Sequence, residues 1–365
     1  MNSMKSLIIS AIIFALSGSV LQGAAVIDHT CADLGQIPGS WIEVVQDSIP
    51  SHYAHTSHGG QLTYGLQFIE ADSSFYDCER GISYLPSAAG AWCIFDGQES
   101  ASYISPDLYW ETSGGMNFTR NVLNNNPEIK TSMWCWCSQL NYYSESQVQA
   151  YLDSMCVLEA EYPAVTFIYF TGNAQGTGSG GYNRWQRNEQ IRSFCNTNNK
   201  YLFDFADLDC WWYNPSTSAW EQHTYSYNGY DIPSEHSQFN GDEYAHTTAE
   251  SCYQKGEALW YMMALIAGWQ EVGIAGKGTV NDFEAGISTV NPSVGITRIS
   301  CNIPESRNVT INVYSCDGRL AGTPFRGELA AGSHEFTLNE LLPGLYMVIM
   351  SSDDFAVSES VIVLN

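Results

Sequence analysis

With 365 residues, 44% of them hydrophobic and 13% aromatic, the chain can bury one large and one smaller core, which argues against a disordered protein. Its 39 acidic residues against 14 basic ones give a formal charge of -25, which repels phosphate backbones and anionic lipid and argues against nucleic acid as a partner. A low charged content of 15% beside 31 Gly, 22 Tyr and 11 Trp suits a protein that handles neutral polymers such as polysaccharides, whose sugar faces stack on aromatic rings.

The chain opens with the short basic segment MNSMK, the apolar run SLIISAIIFALSGSV and the small residues Gly23-Ala24-Ala25, so residues 1–25 read as a signal peptide and the protein as secreted or held at the cell surface. No later run reaches the ~20 apolar residues of a membrane span. SWIEVVQDSIP reads as a helix stopped by proline, SHYAHTS as a strand and GGQLTYGLQFIEA as the helix that follows it. Residues 72–130, rich in Ser, Gly and Asn, are expected to form long loops. A clear alternation follows: strand TSMWCWCSQ, helix SESQVQAYLDSMCVLEAEYP, strand VTFIYFTGN, helix NRWQRNEQIRSFCNTNN and strand YLFDFADL. In the first of these helices Ser144 or Ser146 can cap, and Val148, Tyr151, Leu152, Met155 and Leu158 recur on one face. After a long polar stretch comes the helix YQKGEALWYMMALIAGW. Alternating strands and helices predict an α/β domain over residues 26–270, a three-layer parallel sheet with helices on both faces.

Residues 271–285 form a Gly-containing linker, and residues 286–365 are short alternating strands without helices, expected to make a small β-sandwich. Eleven cysteines in an exported chain predict disulfides, with at least one thiol left over. Cys135 and Cys137 alternate along one strand and are too close to bond comfortably to each other, while Cys301 and Cys316 on neighbouring strands are a candidate pair.

In an open parallel sheet, ligands sit at the carboxyl ends of the strands. The polar residues placed there are Ser57 after the first strand, Asn173 after VTFIYFTGN, and Asp207 and Asp209 after YLFDFA, with His246 just before the last helix. Asp204, Asp207 and Asp209 read as caps of strand and helix ends, and His236 as a solvated loop residue. Trp134 and Trp136 belong to the core, whereas Trp211, Trp212 and Trp220 are candidates for a substrate wall.

On these positions, together with HTSHGGQLTYGL, MWCWCSQ, FIYFTGNAQG and HTTAESCYQKGEALWYMMALIAGW, residues 42–269 resemble the SGNH (GDSL-like) hydrolase superfamily, in an exported branch. The resemblance implies a flavodoxin-like sheet and a serine esterase that needs no cofactor. Ser57 would be the nucleophile, His246 its general base, and Asp242 or Glu243 the carboxylate that orients the imidazole. Asn173, Gly114, Gly115 and His55 would serve the oxyanion or the substrate, a small-molecule or polysaccharide ester. The family's Gly-Asp-Ser is His55-Thr56-Ser57 here, and Ala174 stands where a second aspartate is usual. These two differences leave open a non-catalytic glycan-binding or surface protein on the same fold. A third reading is a metal-dependent hydrolase using His52, His55 and His58. In the C-terminal part, NPSVGITRISCNIP, INVYSCDGRL and LLPGLYMVIM resemble the sorting domain of proteins exported by type IX secretion, which implies the export machinery as a partner.

Overall fold

The computed structural model describes residues 25–99, 101–269, 286–289, 293–294, 296–303, 306–315, 319–339, 341–352 and 356–364. All but the last residue of the expected leader, the expected linker and Cys316 lie outside these residues. The chain divides into two compact units at Trp269/Gln270.

The first unit is built on seven strands: β1 (Val26–Ile27), β2 (Ser51–His55), β3 (Cys78–Ile82), β4 (Trp92–Asp96), β5 (Thr131–Cys135), β6 (Thr166–Phe170) and β7 (Tyr201–Phe203). They pair in the order β1-β7-β6-β5-β2-β4-β3, and every pairing is parallel. β4 and β5 are buried at all five positions and β2 and β6 at four of five, as expected of strands covered on both faces. The cover is α1 (Gly39–Ser48), α2 (Gly60–Asp72), α3 (Ser113–Asn125), α4 (Glu145–Glu161), α5 (Gly178–Thr197), the short α6 (Phe205–Cys210) and α7 (Ala249–Ile266). α7 packs on α1 and α2, while α4 packs between α3 and α5. α4 opens with a capping box between Ser144 and Gln147 and buries the five residues its spacing predicts. α7 is buried nearly all round, and Gly65 of α2 lets the two helices touch backbone to backbone. A Cβ there would lie 2.0 Å from the Cys252 carbonyl oxygen.

Residues 72–130 depart from expectation. They hold β3, β4 and α3, two five-residue strands and a helix that opens on Ser-Gly-Gly. The polar stretch before α7 likewise contains two hairpins, β8 (Trp211–Asn214) with β9 (Ala219–Gln222) and β10 (Thr224–Tyr227) with β11 (Tyr230–Pro233).

The second unit has one sheet of β12 (Gly286–Thr289), β14 (Ile296–Ile303) and β17 (Gly332–Asn339). Its other sheet contains β13 (Ser293–Val294), β15 (Arg307–Ser315), β16 (Leu320–Leu329), β18 (Gly344–Ser351) and β19 (Ala356–Leu364). All pairs are antiparallel except β13 with β19. Ile299, Ile303, Val309, Ile311, Val348 and Val361 come from both sheets and share one core. No disulfide joins the described cysteines from Cys78 to Cys301, and no described helix is long and apolar enough to cross a membrane.

Candidate active site

The chain leaves β2 toward β3 and β4 on one side and returns to β5 on the other, so the crevice at the carboxyl ends of β2 and β5 is the topological switch point of the sheet. Ser57 and His58 lie in the turn from β2 into α2, and Cys137 lies two residues beyond β5. The turn is tied down by Tyr53, whose hydroxyl donates to the Gly59 carbonyl at 2.7 Å. Gly59 is required there, since a Cβ would lie 2.3 Å from that of His55. The Cys137 backbone is held from both ends: its N–H donates to Gln139 Oε1 at 2.7 Å, and Asn173 Nδ2 donates to its carbonyl at 2.7 Å.

The side chains in this crevice form a connected cluster. His58 Nδ1 is 3.0 Å from Cys137 Sγ, and His58 Nε2 is 2.8 Å from Gln175 Oε1. Gln175 Nε2 donates to Glu235 Oε1 at 3.0 Å and to the His246 carbonyl; both accept only, so the amide orientation is fixed. His58 must therefore carry a proton on Nε2, which in the neutral ring leaves the Nδ1 lone pair facing the thiol. Ser57 Oγ lies 3.4 Å from the same sulfur. Burial opposes ionisation of Cys137, but the bond and charge of His58, with the Ser57 and Thr56 hydroxyls, bring the thiol down to about 5. Burial pulls the other way on His58, whose pKa is nevertheless raised by Cys137, Gln175 and the charge of Asp209.

His246 stands beside this pair, its ring centroid 4.8 Å from that of His58, and is half exposed. Its Nδ1 meets Asp242 Oδ1 at 3.0 Å. Ala245 and His246 both have positive φ, 53° and 74°, in a loop held by Gln61 through the Ala245 carbonyl. Of the two expected orienting carboxylates, Asp242 is thus the one in contact. Glu243 turns back to accept the Asp242 N–H at 3.1 Å.

Three expected site residues fall elsewhere. Gly114 and Gly115 lie in the first turn of α3, where the Gly115 N–H is bonded to Thr112 Oγ1 at 2.9 Å and no bond from either glycine reaches Ser57 among the described residues. His55 turns inward: Nδ1 donates to the Thr56 carbonyl at 2.7 Å, and Nε2 lies 3.2 Å from Asp96, which also meets Arg80. The three histidines of the turn do not share a centre. His52 is buried between the Gly97 carbonyl at 3.0 Å and Ser132 Oγ at 2.9 Å, and its pKa is pulled down to about 4 by burial. Among the described residues only Asp28, His29 and Asp207 bring metal-binding atoms within 4.8 Å of one another.

Beneath the cluster lies a fully buried ion pair that the sequence reading missed. Lys255 Nζ is 2.7 Å from Asp209 Oδ1, with the two side chains 0% and 1% exposed. Asp209, expected as a cap, instead accepts the Ala174 N–H at 2.7 Å and so holds the segment between Asn173 and Gln175. Asp204 does cap α6 and pairs with Arg192. His236, expected in solvent, is buried and stacks on Trp212. Trp134 and Trp136 are in the core.

Trp212, Tyr213, Trp220, Phe68, Glu250 and Asp72 line a cavity of about 910 Å³ between α2, α7 and the β8–β9 hairpin. It adjoins the start of α7, just after the His246 loop, and Trp212 Nε1 donates to Glu250 Oε1 at 2.7 Å.

No protein-family model matches the chain. No curated protein matches it either. Among solved structures it is similar to the sulfur carrier protein SoxY of Chlorobium limicola f thiosulfatophilum, at 10% identity over 22% of this chain and 79% of that one, TM-score 0.17. An engineered protein is similar at 12% identity over 85% and 60% of the two chains, TM-score 0.22. An endo-beta-1,4-mannanase double mutant of Cellulomonas fimi is similar at 12% over 85% and 59%, TM-score 0.20. Likenesses this slight carry no argument about fold or site.

Proposed function

We propose that the protein is a secreted or surface-held hydrolase of the SGNH type that cleaves an acyl ester on a carbohydrate, with its reaction centre at the β2/β5 switch point. The observation that carries this reading is the convergence, from four distant parts of the chain, of Ser57 and His58, Cys137, Asn173 and Gln175, and the His246–Asp242 pair. Such a set supplies what acyl transfer requires: an attacking atom, an imidazole in a fixed tautomer, and donors for the oxyanion. Ser57 and Cys137 are the two atoms able to attack. The strand order, with its reversal at β2, supports the flavodoxin-like arrangement that the SGNH resemblance implies. The aromatic cavity beside the His246 loop is a fitting wall for a sugar. The leader and the sorting-like C-terminal part support export, with the type IX machinery as partner.

The test is hydrolysis of 4-nitrophenyl acetate by the mature protein and by Ser57→Ala/Cys137→Ala and His246→Ala, with and without EDTA. Wild type is expected to turn over, the double variant to lose at least ~100-fold, and EDTA to have no effect. The cavity also favours a second reading, a non-catalytic glycan-binding protein, for which wild type would bind glycans and leave every ester intact.

A further inference from the structure

We infer that the attacking atom is Cys137 Sγ, with His58 as its base, and that Ser57 acts as a hydrogen-bond donor to the sulfur. This inference rests on the hydrolase reading and names its nucleophile. It departs from the serine chemistry that the sequence resemblance implies.

The first ground is geometric. A serine hydroxyl attacks only as its proton is removed, so it needs an imidazole nitrogen within hydrogen-bond reach. Ser57 Oγ has none among the described residues; its partner is the sulfur, at 3.4 Å. Cys137 has what Ser57 lacks, with His58 Nδ1 at 3.0 Å. Gln175 fixes the imidazole in the tautomer that accepts a proton at Nδ1, and Glu235 holds Gln175. An amide side chain orients the histidine likewise in the Cys-His-Asn sites of papain-like proteases.

The second ground is the setting of the sulfur. Thr56 Oγ1, in a residue 2% exposed, makes no hydrogen bond among the described residues, and its hydroxyl adds to what lowers the thiol. One hydroxyl and one imidazole thus meet at one atom, and both stabilise a thiolate. Burial instead drives Cys135 far up and Cys252 to about 11. Cys137 is also fixed through its own backbone and is not fully buried. At the entry to α2 the N–H groups of Ser57, His58 and Gly59 have no acceptor among the described residues, which leaves them as donors to an oxyanion beside the sulfur.

The reaction closes with water as the second reactant. The Cys137 thiol proton passes to His58 Nδ1. The thiolate attacks the acyl carbon, and the carbonyl π electrons move to oxygen. When they return, the C–O bond to the alcohol breaks, the leaving oxygen takes the proton from His58, and a Cys137 thioester remains. His58 then removes a proton from water, the hydroxyl adds to the thioester carbonyl, and collapse leaves the carboxylic acid and expels the thiolate, which takes that proton back from His58. One ester and one water give one acid and one alcohol, and both residues end as they began.

The experiment combines three variants with two probes on the full-length mature protein. With 4-nitrophenyl acetate, Cys137→Ala and His58→Ala are expected to lose at least ~100-fold in kcat/KM, and Ser57→Ala no more than ~10-fold. Acid quench during turnover should trap one acetyl group on the peptide carrying Cys137, released by neutral hydroxylamine as thioesters are and oxygen esters are not. Iodoacetamide at pH 6, used on the wild type so that no variant need fold, should label Cys137 ahead of the other cysteines and remove activity in step with labelling. Acetyl trapped on Ser57, or activity retained by Cys137→Ala and lost by Ser57→Ala, overturns the inference and leaves the hydrolase reading standing. A wild type inert toward every ester overturns both.

Discussion

Replacing Lys255 by methionine tests whether the buried ion pair holds the site in place. Lys255 and Asp209 are 0% and 1% exposed and 2.7 Å apart. At an effective dielectric of about 20 their attraction is about 6 kcal/mol, opposed by the desolvation of both ions. Methionine matches the stem of lysine, so the change gives up the ammonium's place over the Phe205 ring but little packing, and strands a carboxylate in the interior. Removing one partner of such a pair costs ~3–5 kcal/mol. All 11 tryptophans precede residue 270, so their fluorescence follows unfolding of the first unit alone. With m near 3 kcal/mol/M in urea, the midpoint should fall by ~1–1.7 M. Lys255→Met/Asp209→Asn, which removes both charges and keeps an acceptor for the Ala174 N–H, should recover most of the loss. A single variant within ~0.3 M of wild type, or a double variant as unstable as the sum of the singles, would refute the reasoning.

His52, held neutral with a pKa near 4 against about 6.5 unfolded, lets the unfolded state bind the extra proton as the pH falls. Its contribution of about 3 kcal/mol is intact above pH 6.5 and gone by pH 4, so the stability gap between wild type and His52→Gln should shrink by that amount across this window. Parallel curves would sink the assignment. Gly65→Ala should cost ~1–3 kcal/mol or more in urea unfolding, because a Cβ 2.0 Å from the Cys252 carbonyl must push α2 from α7. Asp242→Asn should lower kcat/KM about 3- to 10-fold, with Glu243→Gln near wild type, since only Asp242 meets His246 and it does so in solvent. Trp212→Ala should raise KM for acetylated oligosaccharides by ~10-fold and leave 4-nitrophenyl acetate unchanged; equal effects on both would remove the cavity from the substrate path.

The sequence made legible those elements whose burial follows a period. α4 shows its apolar face at the expected residues, and β6 announces itself by the apolar run FIYF. β3, β4 and α3 went unread because sheet pairing and helix packing stabilise them more than local preference does. CERGI has one buried residue in five, and α3 begins with Ser-Gly-Gly. Lys255 stands between Gln254 and Gly256-Glu257, a polar setting that reads as a solvent-facing turn of the helix. Only the fold brings Asp209, 46 positions earlier, to meet it.

The site was half legible for a related reason. Strand ends can be read from a sequence, and so Ser57, Asn173 and the His246–Asp242 pair fall where expected. What a strand end faces depends on which strand lies beside it, and that is a property of the sheet order. β5 returns beside β2 across the switch point, and this places Cys137 against His58, 79 residues earlier. Read along the chain, WCWC is a strand whose cysteines share a face. Because β5 stops at Cys135, the second cysteine leaves the strand and enters the crevice while the first stays in the core. The same two-residue step separates Asn173, which holds the Cys137 carbonyl, from Gln175, which reaches His58. Asn173, three residues beyond β6, supports the Cys137 backbone, and Gln175, two positions on, meets the His58 ring. Sheet order, which no single strand end reveals, thus sets Cys137 rather than Ser57 against an imidazole among the described residues.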